Sequence, residues 1–145
     1  MQQQFNFLKT LPIDLDNDII SIQKFNGYNL AAPKSFWDST DSIRKNLTGG
    51  CGSGRIGDFF VPDRIYCLKI TAACIIHDWC FLVWNSKEGF IQANNLFKNN
   101  IIRIIQQTKS NRIIKKLRFQ RSRLYYQAVK YFGEPSYFDS HLDLL

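Results

Sequence analysis

Between Thr48 and Phe81 the chain reads TGGCGSGRIGDFFVPDRIYCLKITAACIIHDWCF. Five of the eight glycines fall within nine residues at its start, a density that neither helix nor strand tolerates. A loop is therefore expected, prolonged by Gly57 and Pro62 to about Asp63. Thr71 then has the character of an N-cap, and Ala72–Trp84 reads as helix. His77 and Asp78 are neighbours on that helix, so their side chains project about 100° apart and can flank one cavity without bonding to each other. A histidine so placed suits a general base, and a carboxylate suits a hard cation such as calcium. One carboxylate is too few ligands for calcium, but a glycine-rich loop can turn its backbone carbonyls inward to complete the shell.

Working outward, Asn85-Ser86 interrupts the pattern and Ser86 is a capping residue for a helix over Lys87–Gln107. Its apolar positions are Phe90, Ala93, Leu96, Phe97, Ile101, Ile104 and Ile105. The short connection predicts that these two helices run antiparallel. Ser110 or Asn111 starts a last helix, which Gly133 and Pro135 are expected to stop, leaving a loosely ordered tail over 134–145. On the N-terminal side, Ile19, Ile20, Ile22 and Phe25 precede Asn26-Gly27, the signature of a short hairpin. Ser35–Leu47 reads as one short helix. The expectation is thus a mainly α chain of one domain over 1–145: an irregular and hairpin segment over 1–34, a core over 35–107, a basic helix over 108–133 and a tail.

Composition limits the function classes. The aromatic content, with twelve Phe, six Tyr and three Trp, argues for a packed core and against disorder. Charge is segregated: Lys98 to Gly133 holds ten Lys or Arg and no acid, while the rest has nine basic and twelve acidic residues. Such a block suits an anionic membrane surface, a nucleic acid or an acidic protein, or is simply a solvated helix face. No apolar run reaches membrane-spanning length, and MQQQFNFLKTLPIDLDND does not read as a secretory signal. The expectation is a protein that stays where it is made or leaves by lysis or packaging in a particle. Four cysteines, at 51, 67, 74 and 80, permit three pairings, and oxidation is not assumed. A bond between Cys51 and Cys74 would join the loop to the helix one turn before His77. Cys67 and Cys80 read as packed thiols.

These motifs resemble those of phospholipases A2. Gly50-Cys51-Gly52-Ser53-Gly54 is similar to their X-C-G-X-G calcium loop, and Ala73-Cys74-Ile75-Ile76-His77-Asp78-Trp79-Cys80-Phe81 to their C-C-x-x-H-D-x-C-Y helix. The likeness is nearer to the shorter bacterial, fungal and phage-encoded members. Ala93-Asn94-Asn95-Leu96-Phe97 resembles their second active-site helix, and the whole likeness spans roughly residues 48–105. The resemblance implies a core of two antiparallel helices facing a calcium-type loop. It implies that His77 removes a proton from the water that attacks a glycerophospholipid sn-2 ester. It further implies that Asp78 and the carbonyls of Gly50, Gly52 and Gly54 hold calcium at the developing oxyanion. The family's histidine-orienting aspartate falls at Asn94, and its tyrosine at Phe81. An amide can orient an imidazole but cannot stabilise an imidazolium, so the catalytic network is weakened. Asp63 and Tyr66 are candidates to compensate. The partner implied is an anionic phospholipid surface met through Lys98–Lys130. A non-catalytic scaffold in a phage or other particle, and a nucleic-acid-binding accessory protein, are the alternatives.

Two metal or phosphate readings are weaker. Cys74, His77 and Cys80 diverge around one helix and converge poorly on a tetrahedral zinc. Gly49–Gly54 lacks the Lys-Ser/Thr ending of a P-loop.

Overall fold

A computed structural model of the chain describes residues 2, 6, 9–47 and 64–142. The glycine-rich loop, with Gly50, Cys51, Gly52, Gly54 and Asp63, lies outside the described residues. The described part is mainly helical with a small hairpin sheet. In chain order the elements are β1 (Ile20–Phe25), β2 (Tyr28–Pro33), α1 (Lys34–Asp38), α2 (Asp41–Leu47), β3 (Arg64–Ile65), β4 (Leu68–Lys69), α3 (Thr71–Val83), α4 (Lys87–Gln107) and α5 (Arg112–Leu142).

Strands β1 and β2 pair antiparallel, from Ile20 opposite Pro33 to Phe25 opposite Tyr28. The two-residue connection needs positive φ at both positions, and Asn26 (φ 50°) and Gly27 (φ 87°) supply it. A two-stranded sheet leaves an outer edge of unpaired backbone groups. Here α4 closes it with side-chain amides. Asn100 accepts from Ala31 N at 2.8 Å and donates to Ala31 O at 2.7 Å, and Gln107 does the same for Asn29 at 2.8 and 3.0 Å. Two residues apart on a strand edge thus meet two amides seven apart, two turns along a helix. The hairpin is locked to α4 by hydrogen bonds as well as by the burial of Leu30, Ala31 and Ala32.

Helix α3 is the centre of the core, with ten of its thirteen residues buried. It begins one residue earlier than the sequence suggests. Ile70 is the N-cap, with no side-chain cap bond, and Thr71 is the first helical residue, because Cys74 N already bonds to Ile70 O. Ser86 caps α4 as expected, its Oγ accepting from Gly89 N at 2.9 Å. Asn111 caps α5, its Oδ1 accepting from Ile114 N. The expected helix over Ser35–Leu47 is divided. Ser39 is extended with its hydroxyl on Phe36 O, and Thr40 Oγ1 accepts from Ile43 N to start a new turn. Local side-chain bonds of this kind compete with helix continuation.

A second correction concerns the C-terminal side. Helix α5 runs through Gly133 and Pro135 to Leu142, where a stop and a loose tail were expected. Gly133 is buried against the rings of Phe81 and Phe90, so the glycine serves as a close-approach point between helices and not as a stop. The β3–β4 hairpin was not foreseen. Its turn places Tyr66 (φ 45°) and Cys67 (φ 66°) in the left-handed region, without the usual glycine or asparagine. Helix α5 holds it there: Arg118 donates to Tyr66 O at 2.9 Å and Tyr125 to Arg64 O at 3.1 Å. Part of the basic block is therefore architecture, since Arg118 is 8% exposed. Among the described residues no helix is long and apolar enough to cross a membrane.

Candidate functional site

Apolar residues at three-and-four spacing bring α3 and α4 together along their length. Phe81 meets Phe90 and His77 meets both Asn94 and Phe97, so the two helices run antiparallel. The imidazole of His77 is 2% exposed, with the Phe81 ring 4.1 Å and the Phe97 ring 4.7 Å from it, centre to centre. Its Nε2 lies 2.8 Å from Asn94 Oδ1. An amide oxygen can only accept, so Nε2 carries the hydrogen and the lone pair of the neutral ring sits on Nδ1. Burial lowers the His77 pKa from 6.5 to about 4, against the opposing pull of the Asn94 hydrogen bond. His77 is therefore neutral at pH 7, as a general base must be. Without a carboxylate nearby in Asn94's place, protonating it is difficult.

Asp78 is also buried, at 6% exposure. The pairing of His77 with Asn94, and the adjacency of Asp78, are as the sequence suggested. The three glycine carbonyls expected to complete a metal shell lie outside the described residues, so Asp78 is the one described hard donor of that set. Among the described residues no cluster of three or more His, Cys, Asp or Glu forms a metal site. A site of one carboxylate and backbone carbonyls would not form such a cluster.

The cysteines divide by environment. Cys74, one turn before His77, is disulfide-bonded, and Cys67 and Cys80 are free. Cys80 is a packed thiol whose pKa burial pushes well up, with the charges of Asp18 and Asp78 adding to it. Cys67 is exposed in the β3–β4 turn, contrary to the expected packing. Tyr66 beside it is 43% exposed with Arg121 over its ring, so it is a surface turn residue and no substitute for a buried carboxylate.

Two features escaped sequence reading. The first is a cleft of about 230 Å³ between α4 and α5, lined by Phe90, Ile91 and Asn94 from one helix and Tyr126, Lys130 and Tyr131 from the other. Asn94 is its link to His77, which does not line it. Its signal in the sequence was Lys87, Phe90, Ile91 and Asn94 at one-turn spacing, but only the packing of α5 makes a cleft of them. The second is a shallow groove of about 430 Å³ on α5, lined by Arg112, Lys115, Lys116, Phe119, Gln120 and Arg123. Comparison with known proteins yields no matching family model, no matching curated protein and no matching solved structure.

Proposed function

We propose that the chain is a phospholipase A2-like hydrolase, in which His77 is the general base of a calcium-assisted hydrolysis of a glycerophospholipid sn-2 ester. The observation that carries this reading is the 2.8 Å hydrogen bond from His77 to Asn94 across an antiparallel helix pair, with Asp78 next in sequence. That bond holds the tautomer that leaves Nδ1 free to take a proton from water. Calcium, held by Asp78 and the carbonyls of Gly50, Gly52 and Gly54, would supply positive charge to the developing oxyanion. The disulfide at Cys74 ties down the helix beside the reacting ring. On the surface, α5 presents Ile113, Leu124 and Tyr131 exposed among its cations, a pattern suited to an anionic lipid surface.

A second reading is favoured by a specific observation. The imidazole is 2% exposed, has an amide and not a carboxylate behind it, and protonates only near pH 4. The same scaffold would then serve as a binding or structural part, for instance of a phage or other particle. The experiment is fatty-acid release from anionic phospholipid vesicles, with and without calcium. The hydrolase reading expects calcium-dependent release that His77→Ala abolishes. Asn94→Asp is expected to raise the rate greatly, since the reverse change at the equivalent position of a protease triad lowers it by about 10⁴. Release absent from the wild type but present in Asn94→Asp supports the scaffold reading. Release absent from both sinks the hydrolase. Nucleic-acid binding by the α5 groove is a lesser alternative, marked by affinity that falls steeply with salt and ignores His77.

A further inference from the structure

The amide of Asn94 is used at one end only. Its Oδ1 is held by His77, while its Nδ2 is buried and has no hydrogen-bond partner among the described residues. An unpaired buried donor costs about 1–3 kcal/mol. The other orphaned atoms among the described residues belong to Ser110 and Arg118, which do not line the α4–α5 cleft, whereas Asn94 does, so an occupant of the cleft can complete it. The oxygen and nitrogen of an amide point apart, so fixing Oδ1 on the imidazole turns Nδ2 away from it. Asn94, 2% exposed, also lines the cleft between α4 and α5.

The walls of that cleft state what else an occupant must carry. Phe90, Ile91, Tyr126 and Tyr131 make it predominantly apolar. The antiparallel register, with Gly133 against Phe90 and Tyr126 against Asn95, sets Lys130 near the level of Asn94. Glu134 falls beyond it, at the Phe90 level, where Lys87 is also part of the lining and offsets its charge. The lining as a whole carries one more cation than anions, and the cation left unmatched, Lys130, stands at the Asn94 end, where an anionic head is favoured. From Asn94 to Lys87 is seven helical residues, roughly 10 Å, the length of an extended chain of about eight carbons. The volume of about 230 Å³ suits one such chain and not two.

We infer that the α4–α5 cleft is a binding site for a single-chain anionic amphiphile, whose carboxylate or phosphate head accepts from Asn94 Nδ2 and meets Lys130 while its chain lies over Phe90 and Ile91. Asn94 lines the cleft and His77 does not, and the inference holds whether or not the chain hydrolyses esters. Occupancy adds a third member to the His77–Asn94 pair and satisfies its last free donor.

The test is calorimetric titration of the full chain, without calcium, with octanoate and octyl phosphate. Acetate and octanol serve as head-only and chain-only controls. The expected result is saturable one-to-one binding of one or both amphiphiles, at least tenfold tighter than either control, with a shift of the Asn94 side-chain NH₂ resonance. The tighter of the two amphiphiles identifies the head group. Lys130→Gln is expected to weaken binding about tenfold or more, and Arg123→Gln, on the same helix in the other groove, to leave it unchanged. Asn94→Leu should abolish it; because that variant also removes the His77 partner, Ile91→Asp on the half-exposed wall is the second variant and should weaken chain binding without touching the core. Octanol binding as tightly as octanoate, an unmoved Asn94 resonance, or equal loss in Arg123→Gln and Lys130→Gln would each overturn the inference.

Discussion

Two of the polar clusters buried in this core are treated in opposite ways. Asp18, 3% exposed, accepts from Ser35 N at 2.8 Å, from Ser35 Oγ at 2.6 Å and from Trp84 Nε1 at 3.1 Å. Ser35 Oγ in turn accepts from Trp79 Nε1 at 2.9 Å. That network ties the segment before β1 to α1 and to the C-terminal half of α3, and each member has a partner. The His77–Asn94 pair, as deeply buried, has one hydrogen bond and an amide donor with none among the described residues. A fully satisfied buried network holds a fold in one arrangement, whereas a half-satisfied one lowers stability unless something else completes it. The contrast separates what builds this protein from what it has available to act with.

The sharpest way to break the comparison is Asp18→Ala. It strands the Trp84 and Ser35 donors at once and should lower unfolding stability by roughly 3 kcal/mol or more, read by denaturant titration. Acid titration should show the next largest effect. The folded pKa of His77, about 4, is below its ordinary 6.5, so the unfolded chain takes up the proton first as pH falls. Its contribution is complete above pH 6.5 and is lost as pH drops towards 4, by roughly 3 kcal/mol in all. His77→Gln should flatten the stability slope between pH 6 and 5; a wild-type slope surviving in that variant would remove His77 as its source. Asn100→Leu should cost about 2–3 kcal/mol, because both Ala31 backbone groups lose their partner. Gln107→Ala, the exposed counterpart acting on Asn29, should cost less than about 1 kcal/mol, since water replaces the amide. Equal losses at 100 and 107 would contradict the difference in burial.

Particular residues show why some of this was legible beforehand. Asn26-Gly27, Ser86 and Asn111 act through bonds to residues within three positions, so their roles were readable locally. The α3–α4 pairing followed from apolar spacing and a short connection. Thr40 and Ser39 also act locally, yet their division of the expected helix was missed because the apolar pattern of Phe36, Trp37, Ile43 and Leu47 continues across it. Gly133 was misread for a different reason. A glycine near a proline is a stop signal in isolation, but here it is the point where α5 comes against Phe81 and Phe90. Likewise the left-handed turn at Tyr66 and Cys67 carries no local sign, since a buried arginine 52 positions later secures it.

From its order of residues alone, this protein's helix periods, its hairpin turn, its caps and the neighbouring imidazole and carboxylate could be read, because each depends on contacts within a turn or two. Only tertiary packing decided that Asn94 would lose half its hydrogen bonding, that Asn100 and Gln107 would stand in for a missing third strand, and that Arg118 would serve the core while Lys130 faces a cleft. Those outcomes depend on which face of one helix meets another, and the burial that makes an unpaired amide or a neutral imidazole consequential exists only once the helices have closed around it.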